Sequence, residues 1–375
     1  MIYFDNAATT FPKPECVYEE LDSAQRTLSF NAGRGLYPSA EMAGETIENA
    51  RNILCKYANA KELVFSSSAT QALNFILFGL DLNAGDVVYC SPYDHNAIVR
   101  TLNEIKKVKS ITIKHIPLNE DLAIDLDRFK FDCLINKPKA MICTHVSNVT
   151  GYILPIKELG EISKSINSIF IVDGAQAFGL IPVDIVDSNI SYYVFAGHKT
   201  MYGPFGAAGY LCEQNKLKPT YFGGTGSDSL NVEMPSNGHL RYEPSSQNVV
   251  AIRGMVKGFE WIISKKAYEH EQLLVDYAVE KLKEIDGIKL YHNDKLLQVG
   301  ILSFNLDGYD SEDLSKILGE EYEIAVRGGY HCCPYIHDYL ESKEYLGTVR
   351  VSFSYFNTKE EVNLLIEAIE DLLWV

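Results

Sequence analysis

The segment FAGHKTMYGPFGAAGYL (residues 195–211) carries Lys199 at the end of an aromatic, apolar run and just before a glycine-rich turn. Lysine is almost never fully buried unless paired, so an ammonium in such a setting has to be neutral, ion-paired or covalently engaged. A second apolar run, FIVDGAQAFG, delivers Asp173 and Gln176 to a strand end, 26 residues before Lys199 (199 − 173). Singly, Asp173 reads as a helix N-cap and Lys199 as a side chain that snorkels to water. At the ends of successive strands, the two have the form of a lysine Schiff base and an acidic partner for a protonated pyridine nitrogen. That is the protein side of a pyridoxal phosphate (PLP) site.

Other motifs fit the same chemistry. SSSATQALN (66–74) places small residues and the Thr70 hydroxyl at a strand-to-helix turn, where free backbone N–H groups suit a phosphate as well as they suit a plain N-cap. YDHNA sets His95 at a second such junction, where a ring with a pKa of about 6.5 could stack on a flat cofactor and carry protons near neutrality. VRGGYHCCP (326–334) reads as a flexible polar loop with Cys332 beside Arg327 and His331. A thiol of pKa about 8.5 becomes an effective nucleophile when a cation or imidazole stabilises its thiolate; incidental packing is the alternative for the Cys332/Cys333 pair. TVRVSF holds Arg350 in an alternating strand, either as a solvated edge residue or as a two-pronged clamp for a carboxylate.

The elements that must position these residues alternate along the chain. Strand-like runs at 62–67, 86–91, 139–146, 168–176 and 192–197 are interleaved with helical patterns at 70–80, 95–107 and 155–166. Continuous apolar strands between amphipathic helices predict an α/β fold with a mainly parallel sheet covered on both faces, and ligands at the carboxyl ends of its strands. After Gln247 two helical stretches lead to strands at 300–306, 322–329 and 348–356 and a terminal helix at 359–374, the texture of a smaller α+β domain. The expected division is an N-terminal segment (1–15) joining the small domain and the site, a large cofactor-binding domain (16–250), and a small C-terminal domain (251–375) carrying the cysteine loop and Arg350.

A chain of 375 residues with 46% apolar and 22% charged residues has the composition of a soluble globular protein. Its net charge of −16 opposes binding to nucleic acid or an anionic membrane. The start lacks a basic stretch followed by an apolar core, so no secretory signal is read there, and no apolar run is long enough to span a bilayer. Eight scattered cysteines with no CxxC argue against a disulfide framework or a metal site and for a reducing cytoplasm.

In order, YFDNAATT, NAGRG, SSSATQALN, DHNA, HVSNVTG, VDGAQ, GHKTMYGP, GGTGS, RGGYHCCP and VRVSFSYFNT make the chain resemble the class V, fold-type I PLP enzymes. Within them it is similar to the cysteine desulfurase and selenocysteine lyase group, and the short spacing from Cys332 to Arg350 resembles the Suf-like branch. The resemblance implies that Lys199 carries PLP covalently, that Asp173 pairs with its ring nitrogen, that Gln176 bonds its ring hydroxyl and that His95 stacks on it. It implies a phosphate held by Ala69, Thr70 and His198, with Thr225 contributed by the second copy of a homodimer. Asn148 and Arg350 would hold the carboxylate of cysteine or selenocysteine, Arg34 and Arg327 would line the site, and Cys332 would take the sulfur before a sulfur-acceptor protein receives it. Four positions depart from the family pattern: Ala196 and Tyr37 stand where Ser and His are usual. Tyr330–Cys333 replaces His-His-Cys-Ala, and Glu243–Ser246 replaces Glu-Ala-Gly-Thr.

Overall fold

Short apolar strands that must bury both faces can do so only under helices, and this requirement shapes the main layer. A computed structural model of the chain describes residues 1–32, 35–226 and 229–373. It opens with β1 (Ile2–Tyr3), α1 (Glu15–Thr27) and α2 (Pro38–Tyr57), then alternates through β2 (Glu62–Ser66), α3 (Ala69–Gly79), β3 (Val87–Cys90), α4 (Asn96–Lys109) and β4 (Thr112–His115). The alternation continues with α5 (Leu126–Ile135), β5 (Ala140–Thr144), α6 (Ile156–Ile166), β6 (Ile169–Asp173), β7 (Tyr192–Ala196) and β8 (Ala208–Cys212). The seven strands β2 to β8 form one sheet in the order β2-β8-β7-β6-β5-β3-β4, parallel except where β8 runs antiparallel to β2 and β7. Side chains alternate between its faces: Met141 and Cys143 of β5 enter one core, Ala140 and Ile142 the other.

The remaining elements are α7 (Val249–Ile263), α8 (Ala267–Leu282), β9 (Ile288–Tyr291), β10 (Ile301–Leu306), α9 (Ser311–Glu321), β11 (Ile324–Ala325), α10 (Ile336–Tyr339), β12 (Val349–Ser352) and α11 (Lys359–Leu372). An antiparallel sheet in the order β12-β10-β9 packs on α8, α9 and α11 through a separate core that includes Phe304, Val351, Leu274 and Leu365. Phe4 joins that core and β1 pairs with β11, so the first residues of the chain fold onto its last third. One expectation is corrected. The strand read at 322–329 is reduced to Ile324–Ala325, because Gly328 and Gly329 follow and Gly329 turns with φ of 102°. The division at 250/251 falls inside the first turn of α7, whose Ile252, Met255 and Phe259 pack in the core of the larger sheet.

One buried ion pair holds the edge of that sheet at β2. Arg51 of α2 donates two hydrogen bonds to Glu243, at 2.9 and 3.0 Å, and a further one to the Leu63 carbonyl of β2. Glu243 also accepts the Phe65 amide at 2.5 Å, so β2 is gripped by both partners just before it reaches Ser66. Removing Glu243 leaves the buried guanidinium with only the more exposed Glu48, 3.3 Å from its Nε, as counter-ion. Glu243→Ala should lower unfolding free energy by roughly 3 kcal/mol, read as a lower urea midpoint at unchanged slope; a midpoint equal to the parent's would contradict this account.

Candidate active site

The sheet topology delivers five loops to one edge. The turn at Ser68–Thr70 follows β2, His95 follows β3, Asn148 follows β5, Asp173 ends β6, and Lys199 lies in the connection from β7 to its antiparallel neighbour β8. There Lys199, Asp173, Gln176, His95, His198, Ala69, Thr70, Asn148, Arg327, Arg350 and Cys332 line a single cavity of about 280 Å³. Thr225 does not: within its own chain it lines a separate cavity of about 1170 Å³ formed by residues from 219–226 and 229–241. Arg34 lies outside the described residues.

Burial sets the electrostatics of this space. It lowers the Lys199 amine to about 8, with the Asp173 carboxylate pulling the other way, so the unprotonated nucleophilic form is accessible near neutral pH. The Asp173 carboxyl is raised by burial, opposed by Lys199 and by the Ala175 amide that it accepts at 3.0 Å. Burial, reinforced by Lys199, Arg327 and Arg350, pushes His95 down to about 4. Its Nδ1 accepts the Ala97 amide at 3.0 Å and caps α4, which places the ring proton on Nε2. The ring expected to titrate near neutrality is therefore neutral there, with its Nε2 proton free to donate.

Arg350 is 2% exposed rather than a solvated edge residue. Its guanidinium donates to the Asn148 carbonyl at 2.9 Å and to the Asp5 carboxylate at 2.6 Å. Asp5 was invisible to the motif reading, although YFDNAATT contains it. The same is true of Asp94, whose buried carboxylate accepts the Ser91 and Thr144 amides at 2.8 Å each and ties the His95 turn to β5. The signal available in the sequence was an acid directly after an aromatic residue, Phe4 before Asp5 and Tyr93 before Asp94.

The cysteine loop is tied to its neighbours by hydrogen bonds. Asn96 donates to the Cys332 carbonyl at 2.6 Å, Asn148 to the His331 carbonyl at 2.7 Å, and Cys333 to the Tyr330 carbonyl at 2.9 Å. His331 and Cys332 hold consecutive left-handed conformations, φ 48° and 55°, which L-residues adopt at a cost. His331 is buried, its pKa driven well below the ordinary value by burial and by Arg350, and its Nε2 donates to Thr348. It supplies no positive charge to Cys332; Arg327 remains as the nearby cation. Cys332 is exposed, whereas Cys333 is fully buried against the Pro92 carbonyl and its thiol is pushed far up by burial.

A family profile described as aminotransferase class-V matches residues 2–365. The chain belongs to the class-V aminotransferase family. Relatives named cysteine desulfurase, from Haloferax volcanii, and probable cysteine desulfurase, from Pyrococcus abyssi, are each 30% identical to it. These alignments cover 99% and 100% of this chain and 89% and 94% of theirs. The solved apo structure of a cysteine desulfurase from Thermococcus onnurineus superposes with a TM-score of 0.92 at 29% identity, over 99% of this chain and 94% of that one. Class-V aminotransferase members use PLP, and the lining fits that group. The first-turn amides of Ala69 and Thr70 have no intrahelical acceptor, and His198 Nδ1 and Arg350 Nε are buried without partners. These donors match a phosphate and a carboxylate.

His95, His145 and His337 are each lowered to about 4 and His198 to about 3, in every case chiefly by burial. Depressed folded values mean that their stabilising share is complete above about pH 6.5, where the unfolded chain deprotonates, and is lost as pH falls through about 4. Imidazole NMR signals of these residues should stay neutral at pH 5.5 while the urea midpoint drops between pH 6.5 and 4. A midpoint near 6.5 for any of them would refute its burial in the native state.

Proposed function

We propose that this chain is a PLP-dependent cysteine desulfurase that converts L-cysteine to L-alanine and leaves the sulfur as a persulfide on Cys332. The observation that carries the reading is one cavity joining a buried lysine with a lowered pKa, a buried aspartate and an exposed cysteine. Lys199 would hold PLP covalently, Asp173 would keep its ring nitrogen protonated, and His198 with the first turn of α3 would hold its phosphate. When bound, PLP withdraws electron density from the substrate's α-carbon, which labilises the α-proton and then the C–S bond.

The chain's own residues supply the rest. Arg350 would clamp the substrate carboxylate with its unpartnered Nε, the guanidinium being held in place by Asp5 and the Asn148 carbonyl. Lys199 Nζ, unprotonated above about pH 8, would take the α-proton, while neutral His95 donates from Nε2 and holds its partner without competing for that proton. The Cys332 thiolate would attack the substrate sulfur, forming an S–S bond as the C–S bond breaks, and alanine would leave after protonation at its β-carbon. We assign the active form to a homodimer in which the other copy's Thr225 reaches the phosphate. Phe222, Leu230 and Val232 beside that loop are 67%, 99% and 96% exposed in the single chain, which supports such a contact. The eight free thiols suit a reducing cytoplasm.

Lys199→Ala should abolish the imine absorbance of the bound cofactor and all alanine formation; full turnover in that variant would sink the reading. Cys332→Ala should eliminate sulfide release from cysteine with the cofactor spectrum intact, whereas Cys333→Ala should keep most of it. The reverse order of effects would move the sulfur-accepting role to Cys333. Sedimentation equilibrium should give a dimer, and a fully active monomer would refute the shared phosphate site.

A further inference from the structure

Cys332 stands in the wall between two cavities. The inner one contains Lys199; the outer one, about 540 Å³, is lined by residues that include Arg100, Glu312, Arg327, Tyr330 and Lys343. Lys343 is tied to Asp338, and Glu312 supplies the one carboxylate of the lining. Among the described residues no carboxylate pairs with Arg100 or Arg327, so two guanidinia face a recess beside the reactive sulfur on a chain of net charge −16. Their placement is fixed relative to that sulfur. Asn96, the first residue of α4, donates to the Cys332 carbonyl at 2.6 Å, and Arg100 lies four residues on, on the same face of the helix.

Resting on the desulfurase reading, we infer that the outer recess receives a small thiol bearing its own anionic group, and that this thiol discharges the persulfide of Cys332. The volume lies within the range of small-molecule sites, and the unpaired guanidinia select for an anion that the rest of the surface repels. In the step, the acceptor thiolate attacks the terminal sulfur of the persulfide. A new S–S bond forms on the acceptor as the Sγ–S bond breaks, and the electron pair of the broken bond returns to Sγ. The acceptor leaves as its own persulfide and Cys332 is regenerated as a thiolate, so no further oxidant or reductant enters. Arg100 is a binding residue for this second half-reaction and takes no part in the first.

The test uses the PLP-loaded enzyme, charged with stoichiometric L-cysteine and then mixed at low ionic strength with 3-mercaptopropionate, 2-mercaptoethanol or 2-mercaptoethylamine. Loss of one sulfur atom from the protein mass gives a rate constant, expressed per thiolate. The anionic thiol should exceed the uncharged one by at least about threefold, the scale of one partly solvated ion pair, and the cationic one should be slowest. Arg100→Glu should remove or invert that ratio, and Arg100→Lys, which keeps the charge, should retain it. Equal rates for the three thiols, or a ratio untouched by Arg100→Glu, would overturn the inference. So would an effect of Arg100→Glu confined to the KM for cysteine, which would make the recess a substrate entrance. In each of these cases alanine still forms, and the desulfurase reading stands. Failure to form alanine or protein persulfide in the charging step would overturn the desulfurase reading itself, and the inference with it.

Discussion

Arg350 carries a charge that the protein has buried and must therefore satisfy from its own groups. Burial lowers its pKa and the Asp5 carboxylate opposes that, at 2.6 Å. A guanidinium so placed is costly unless its counter-ion and acceptors are fixed. The demand reaches far along the chain, because Asp5 belongs to the first turn after β1 and the second acceptor, the Asn148 carbonyl, follows β5. Ser352 fastens the same junction, donating its hydroxyl to the Phe4 carbonyl and accepting the Ala7 amide, while Asn6 donates to the Ser352 carbonyl. Three remote segments are thus locked around one cation, and the cavity takes its shape from that lock.

The inner cavity is otherwise short of negative charge. Lys199, Arg327 and Arg350 line it, against Asp173 and the Asp5 behind Arg350. That excess of cations is a common reason why the nearby imidazoles are neutral: His95, His198 and His331 each lose affinity for a proton to burial first and to these cations second. An anionic phosphate and an amino-acid carboxylate would complete such a site electrostatically, in keeping with the function proposed above. The outer recess repeats the same bias with Arg100 and Arg327.

Much of this layout was legible in the sequence because period and punctuation encode it. Five of the sheet strands were read to within one to three residues at each end, since each is a short apolar run flanked by polar turns. The residues at their carboxyl ends, Thr70, His95, Asp173 and Lys199, followed from the general position of ligands in parallel sheets. What stayed hidden depends on distance through space. Nothing near Asp5 announces a partner 345 residues away, and nothing in VRGGYHCCP announces that bonds from Asn96 and Asn148 would tie it down. The neutrality of His95 was equally unreadable, because a pKa is set by surrounding burial and charge rather than by the residue type.

The two halves of the site also differ in how much chain each requires. The lysine turn lies between β7 and β8, which pair in register from Tyr193 with Leu211 to Ala196 with Ala208. This hairpin needs only local closure, and the loop entropy to be overcome is small. The Asp5–Arg350 bond closes a loop nearly as long as the whole protein. On a ribosome, the hairpin can assemble while the protein's C-terminal third is still unsynthesised, but the Asp5–Arg350 pair has to wait for β12 to emerge. A nascent or truncated chain would then present the lysine turn before the Asp5–Arg350 pair that closes the cavity around it exists. Enclosure of the lysine is the last property this protein acquires as it is made.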